Sequence, residues 1–127
     1  MKNIYVLLIF ISFSFVFVGC ASKQKSLYMY GDYSESYYDA KKDLSADAAL
    51  SLQKSIEYAI EHKDESLSGR VAPGMYANLG YIYLKSGNSS KAIENFKKEK
   101  SIYPEAAHFM DRMIKKVEIA QGKSDEQ

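Results

Sequence analysis

The strongest constraint on this chain is a spaced string of large and small residues in its second half: Tyr76, Leu79, Gly80 and Tyr83, then Ala92 and Phe96, then Pro104. The spacing of Tyr76, Leu79, Gly80 and Tyr83 puts them on one helical face, and the four-residue step from Ala92 to Phe96 does the same in a second segment. Gly87-Asn88 lies between the two segments as a turn signal, so the string predicts two helices folded back on each other. Gly80 and Ala92 are small where the helices must approach, while Leu79, Tyr83 and Phe96 fill the space on either side. Pro104 cannot extend the second helix, because it lacks the amide that a helix interior needs.

One such hairpin cannot bury both of its faces, and the flanking sequence supplies more helix. Ala49, Leu52, Ile56, Ala59 and Ile60 recur at three- and four-residue steps behind Ser45 or Asp43 as a cap, which predicts a helix ending near His62. Residues 63–71 are charged and contain Ser68-Gly69, so they read as a loop, and Pro73 suits the first turn of the next helix. That helix runs over 75–86. Asn88 or Ser89 can cap its successor, which extends to about Ile102. Pro104 then opens a last helix in which Ala106, Phe109, Met110, Met113, Val117 and Ala120 share a stripe, with Gly122 placed to end it. Beyond residue 20 there are two valines, Val71 and Val117, seven isoleucines and no threonine, too few β-branched residues to build a sheet. The predicted class is all-α: a helical hairpin with one flanking helix on each side.

Upstream lies a polar stretch, rich in tyrosine (Tyr28, Tyr30, Tyr33, Tyr37 and Tyr38) and poor in aliphatic residues. It begins as a tether, although its tyrosines argue against disorder throughout. The expected layout is a leader over 1–19, a tether and Tyr-rich segment over 20–43, the helical domain over 44–121 and a flexible tail over 122–127. No second full copy of the 76–104 string is found.

The first residues read as an address. Lys2 precedes an apolar run over 4–18 broken only by Ser12 and Ser14, the length of a signal-peptide core and shorter than the ~20 residues that cross a bilayer. The run closes on Phe17-Val18-Gly19-Cys20, which resembles the lipobox of bacterial lipoproteins, departing from it at Phe17, where Leu is commoner. The resemblance implies cleavage before Cys20 and acylation of its thiol, anchoring the chain in a membrane. An uncleaved anchor would leave no reason for Gly19-Cys20 to stand at the apolar boundary. Ala21 and Ser22 follow, rather than the Asp that often marks inner-membrane retention, so the expected destination is the bacterial outer membrane, facing the periplasm. Cys20 is the only cysteine, which excludes an intramolecular disulfide and a cysteine-rich metal site.

The string Tyr76, Leu79, Gly80, Tyr83, Ala92, Phe96, Pro104 resembles the tetratricopeptide repeat, with tyrosine in place of its tryptophan. In that family the first helix of each pair lines a concave binding surface, which implies that Ala77, Asn78, Tyr81, Leu84 and Lys85 face a partner. The alternative is that Tyr81 and Leu84 pack on the flanking helix. The tyrosines at 28, 30, 33, 37 and 38 form a second candidate surface, or a segment laid over the repeat to complete its core. Glu99 stands where these repeats usually carry a small residue, and it is expected either to pair with Arg112 or Lys115 or to lie on the surface.

The longer string through Leu27-Tyr28, Gly31-Asp32-Tyr33, Tyr37-Tyr38, Pro73-Gly74-Met75-Tyr76-Ala77, Leu79-Gly80-Tyr81, Phe96-Lys97-Lys98-Glu99-Lys100-Ser101-Ile102-Tyr103-Pro104-Glu105 and Phe109-Met110 resembles a family of small Gram-negative lipoproteins carrying a domain of unknown function. Members tend to be encoded beside two other lipoproteins, one resembling the curli-secretion channel lipoprotein. The resemblance implies a place in an outer-membrane lipoprotein assembly and no known chemistry.

Charge and side-chain chemistry narrow the function further. The chain of 127 residues carries 17 basic and 16 acidic side chains, and removing Lys2 with the leader leaves 16 of each, so no basic footprint for nucleic acid is present. The two imidazoles, His62 and His108, have no further ligands at metal spacing. His108, Asp111 and Arg112 share a helical neighbourhood without a nucleophile, and Ser86, Ser89 and Ser90 stand where turns and caps want them. The expectation is a protein without catalysis, cofactor or metal: a lipid-anchored adaptor binding other envelope lipoproteins or an outer-membrane assembly. The alternatives are a pilotin-like chaperone for an outer-membrane channel subunit and a cell-wall-acting envelope factor.

Overall fold

The computed structural model describes residues 24–124. The leader, Cys20 and the last three residues lie outside that range. Five helices follow in order: α1 (Tyr33–Lys42), α2 (Ala46–Glu61), α3 (Met75–Lys85), α4 (Ser89–Ile102) and α5 (Ala107–Ser124), with short 3-10 helices at Lys63–Glu65 and Pro104–Ala106. No strand occurs among the described residues, and the fold is all-α.

Local chemistry sets several of the helix ends. The Ser45 hydroxyl accepts the Ala48 amide at 3.2 Å to start α2, and Asp43 in turn accepts from the Ser45 amide and hydroxyl at 3.0 and 2.8 Å. The Asn88 side chain accepts the Lys91 amide at 3.1 Å to start α4. Gly87, at φ +81°, reverses the chain after α3. Its amide donates to Leu84 O, and the Asn88 amide donates to Tyr83 O, which satisfies two carbonyls that the helix end leaves open.

α3 and α4 run antiparallel and touch along their length. At the crossing, a Cβ built on Gly80 would lie 2.7 Å from Phe96 Cε1 and 3.1 Å from the Ala92 carbonyl oxygen, so only glycine admits this approach. α1 and α2 form a preceding hairpin, and α5 packs on α4. Two clusters make the core. The first joins Leu52, Ile56 and Ala59 of α2 to Val71, Ala72, Met75 and Leu79. The second joins Ala92 and Phe96 to Met110, Ile114 and Val117 of α5, and Tyr83 packs against both.

Several expectations are corrected. The Tyr-rich segment contains a helix that the sequence does not predict: α1 folds because Tyr33, Tyr37 and Ala40, at helical spacing, lie on the first core cluster. The stripe of α5 is Met110, Met113, Ile114 and Val117, while Phe109 is 53% exposed and Ala120 faces solvent. Ala49 is likewise exposed on α2. Gly122 does not end α5, which continues to Ser124. Pro73 lies in the turn before α3 rather than in its first helical turn, and Gly74 occupies the cap position at φ +86°. Pro104 is exposed, at the start of the short 3-10 helix that leads into α5.

Candidate functional site

α3 carries the residues that the sequence assigns to partner binding, and its surroundings decide which of them remain available. Its first turn is capped from α4. Gly74 has no side chain with which to cap the helix, and the Glu99 carboxylate, 2% exposed, accepts the Gly74 amide at 2.6 Å and the Ala77 amide at 3.2 Å. An anionic acceptor at a helix N-terminus satisfies open amides and meets the positive end of the helix dipole. Glu99 therefore pairs with backbone upstream of it, and the expected partners Arg112 and Lys115 are not involved. Phe96, Gly80 and the hairpin turn determine this, because the antiparallel register brings position 99 opposite the start of α3.

One turn further along, the Asn78 amide nitrogen donates to the Tyr33 hydroxyl of α1 at 2.6 Å. Burial, partly offset by that hydrogen bond, raises the pKa of Tyr33 above its ordinary value. Ala77 and Leu84 turn into the second core cluster. What remains outward on α3 is Tyr81, 48% exposed, and Lys85, whose ammonium stands 5.5 Å from the Tyr81 ring centre. The structure thus brings Tyr81 and Lys85 together and directs Asn78 and Leu84 inward.

The tyrosines of the N-terminal segment form one continuous ladder. Ring centres are 6.4 Å apart for Tyr28 and Tyr30, 6.3 Å for Tyr30 and Tyr33, 5.8 Å for Tyr33 and Tyr37 and 6.2 Å for Tyr37 and Tyr38. Tyr28, Tyr33 and Tyr37 pack on the first core cluster, whereas Tyr30 and Tyr38 are 41% and 70% exposed. Tyr28, Tyr33 and Tyr37 thus complete the core, and the rings of Tyr30 and Tyr38 face outward.

A second pair of aromatic contacts follows the seam between α3 and α4: Lys98 stands 5.8 Å from the Tyr76 ring centre, and Lys91 stands 4.9 Å from that of Tyr83. Tyr83 also donates to Glu57 of α2 at 3.0 Å, and burial followed by this bond raises its pKa. Tyr103, after α4, is buried and donates to the Val71 carbonyl oxygen, joining the end of α4 to the loop before α3. Burial, then the hydroxyl of Tyr28, pushes its pKa up to about 12. Arg70 covers the Tyr103 ring at 5.0 Å and donates to Ile102 O at 2.9 Å. The structural roles of Arg70, Tyr103 and Glu99 have no local pattern in the sequence; the one signal was a glutamate where a small residue was expected.

His62 stacks on Tyr58 at 3.9 Å, with Nδ1 2.9 Å from the Tyr58 carbonyl oxygen. Asp111 pairs with Lys100, and the Arg112 guanidinium stands 6.0 Å from the Phe109 ring, so these two do not converge with His108 on a common point. Among the described residues, no group of three or more His, Cys, Asp or Glu could hold a metal ion. No described helix is long and apolar enough to cross a membrane.

Residues 27–113 match a family model described as a domain of unknown function, DUF4810. The matched span runs from the Tyr-rich segment through the first turns of α5. No curated protein and no solved structure matches the chain.

Proposed function

The chain belongs to the DUF4810 family, and from that premise we propose that it is a non-catalytic, lipid-anchored adaptor at the periplasmic face of a bacterial outer membrane. In this reading Cys20 is the acylated mature N-terminus, supported by the apolar run closing on Gly19-Cys20. Two or more acyl chains give stable anchorage where one gives only marginal binding. The hairpin of α3 and α4 is read as tetratricopeptide-like, supported by the seven-position string and the Gly80 crossing. The partners are other envelope lipoproteins or an outer-membrane assembly.

One observation carries the binding half of the reading: Tyr81 is half exposed on α3 with the Lys85 ammonium 5.5 Å from its ring, on a helix whose other outward candidates are committed to internal contacts. An amphipathic aromatic beside a cation is the kind of anchor that dominates protein interfaces. The test is crosslinking and pull-down of the full-length protein from its native membranes, beside Cys20→Ala and a Tyr81→Ala, Lys85→Ala double variant, with partners read by mass spectrometry. The expected result is a specific set of envelope proteins lost with the double variant. Recovery of the same proteins with both forms would move the site elsewhere, and recovery of no specific protein would overturn the adaptor reading.

A further inference from the structure

The first and last helices of the array carry unlike charge on their outer faces. α1 packs on α2 and α5 packs on α4, which leaves each with a face turned away from the fold. The core side of α5 is Met110, Ile114 and Val117. Opposite it, His108, Arg112, Lys115, Lys116 and Ile119 are all exposed, with Phe109 at the edge. No carboxylate stands on that face: Asp111 pairs with Lys100 of α4, and Glu118, seven positions on, shares the side of Asp111. Arg112, Lys115 and Lys116 make no ion pair among the described residues. Phe109 and Ile119 are each about half exposed, at 53% and 50%. A stack of helices needs a polar outer face at its ends to stay separate in water, and α5 does not supply one.

The complement to this face is on the same chain. Asp32, Glu35, Asp39 and Asp43 recur at three- and four-residue steps along α1 and its caps, and all four are exposed. Beside them Tyr38 is 70% exposed. None of the four carboxylates forms an ion pair among the described residues; of the two cations of α1, Lys41 stands 5.5 Å from the Tyr37 ring centre and Lys42 lies in the last turn. Like charges at four-residue steps, Glu35 with Asp39 and Arg112 with Lys116, destabilise each helix when nothing opposes them. The two stripes match in length, since Asp32 to Asp43 and His108 to Ile119 each rise about 16 Å along a helix. The imbalance extends to the two halves of the molecule: residues 24–74 hold nine acidic and six basic side chains, and residues 75–124 hold nine basic and five acidic. Within one copy α2, α3 and α4 lie between the stripes.

We infer that α5 of one copy docks on α1 of a second copy, head to tail, with Arg112, Lys115 and Lys116 facing Glu35 and Asp39 and with Phe109 and Ile119 covering Tyr38. The occupant of the α5 face is thus this same chain, selected by charge and by the matched aromatic and apolar side chains. Such a contact joins unlike faces. It leaves one α1 and one α5 free at the ends, so copies add in rows or rings instead of closing as a twofold dimer. Exposed charge pairs are weak and screened by salt, so the association is reversible and salt-sensitive. It involves neither Cys20 nor the Tyr81 and Lys85 pair, and it stands or falls separately from the adaptor reading.

The test uses the full-length protein in detergent, with micelles in excess over chains, and follows sedimentation velocity across protein and salt concentrations. The native chain is compared with an Arg112→Glu, Lys116→Glu variant and a Glu35→Lys, Asp39→Lys variant. The native chain should associate as its concentration rises and dissociate as salt is added. Each variant alone should associate at least about tenfold more weakly, because its two faces then repel. An equimolar mixture of the two variants should regain native association, since each reversed face meets a reversed complement. Carbodiimide treatment of mixed isotopically light and heavy native chains should join Glu35 or Asp39 of one copy to Lys115 or Lys116 of another. Should a double reversal unfold the chain, Lys116→Glu and Asp39→Lys make the same comparison singly. A native chain that stays monomeric overturns the pairing. Oligomers indifferent to both reversals, weakening by one reversal alone, or a mixture that stays dissociated also overturn it.

Discussion

Glu99 Oε1 lies 2.6 Å from the Gly74 amide nitrogen, and its other oxygen reaches the Ala77 amide, so one buried side chain of α4 closes the open end of α3. Hydrogen bonds to a charged acceptor contribute about 1.5–3 kcal/mol each to stability. Glu99→Gln presents an amide NH2 to backbone donors at one of its two positions, and it is expected to cost about 2 kcal/mol, several degrees of Tm. Thermal unfolding measures this. Arg112→Ala and Lys115→Ala should change Tm by little, and an unchanged Tm in Glu99→Gln would remove the cap.

Gly80→Ala sets helix propensity against space. The substitution gains up to about 1 kcal/mol of intrinsic helix stability, whereas overpacking a tight core contact costs about 1–3 kcal/mol. With the new Cβ at 2.7 Å and 2.8 Å from two Phe96 ring carbons and 3.1 Å from backbone at Ala92, the contact dominates and the variant loses stability. Adding Phe96→Leu should give a double variant more stable than the sum of the two single losses predicts, as read from urea midpoints. Strict additivity would contradict the crossing.

Tyr33→Phe deletes the hydroxyl that receives the Asn78 amide and nothing else. The expected loss is about 1 kcal/mol in global stability. Its local effect should be larger: amide hydrogen exchange over α1 accelerates while α4 keeps its protection. Uniform acceleration across all helices would mean that α1 does not open separately.

Alkaline pH should destabilise the fold through Tyr103. Its folded pKa is pushed up to about 12 from the ordinary 10, so the protonated hydroxyl is favoured in the folded state. That stability is fully present below pH 10 and is lost as pH rises from 10 to 12, by roughly 2–3 kcal/mol in all. Tyr33 and Tyr83, also raised, act in the same direction. Urea midpoints between pH 8 and 12 should fall for the native chain and fall less steeply for Tyr103→Phe, which begins lower because the Val71 carbonyl oxygen loses its donor. Equal slopes would contradict the assignment.

Tyr81→Ala with Lys85→Ala should leave folding stability within about 0.5 kcal/mol of the native chain, since both side chains point outward. Chemical denaturation checks this. A larger loss would show that the pair supports the fold and would weaken any binding result obtained with the same variant.

The features written into local spacing were legible from the sequence by itself. Three- and four-residue steps located α2 and α4 to their ends, Ser45 and Asn88 were readable as caps, and the Gly80, Ala92 and Phe96 positions implied the close crossing that the helices make. Each of these is determined within one turn of helix or one short hairpin. Tertiary structure decided the rest. α1 is short on aliphatic residues and becomes a helix against partners that arrive from far along the chain, with Asn78 lying 45 positions after Tyr33. The same contact takes Asn78 away from the outer surface. Glu99 found backbone amides 25 and 22 positions before it instead of a cation on the next helix. A helical stripe states which residues share a face, and only the packing of the five described helices states what that face meets.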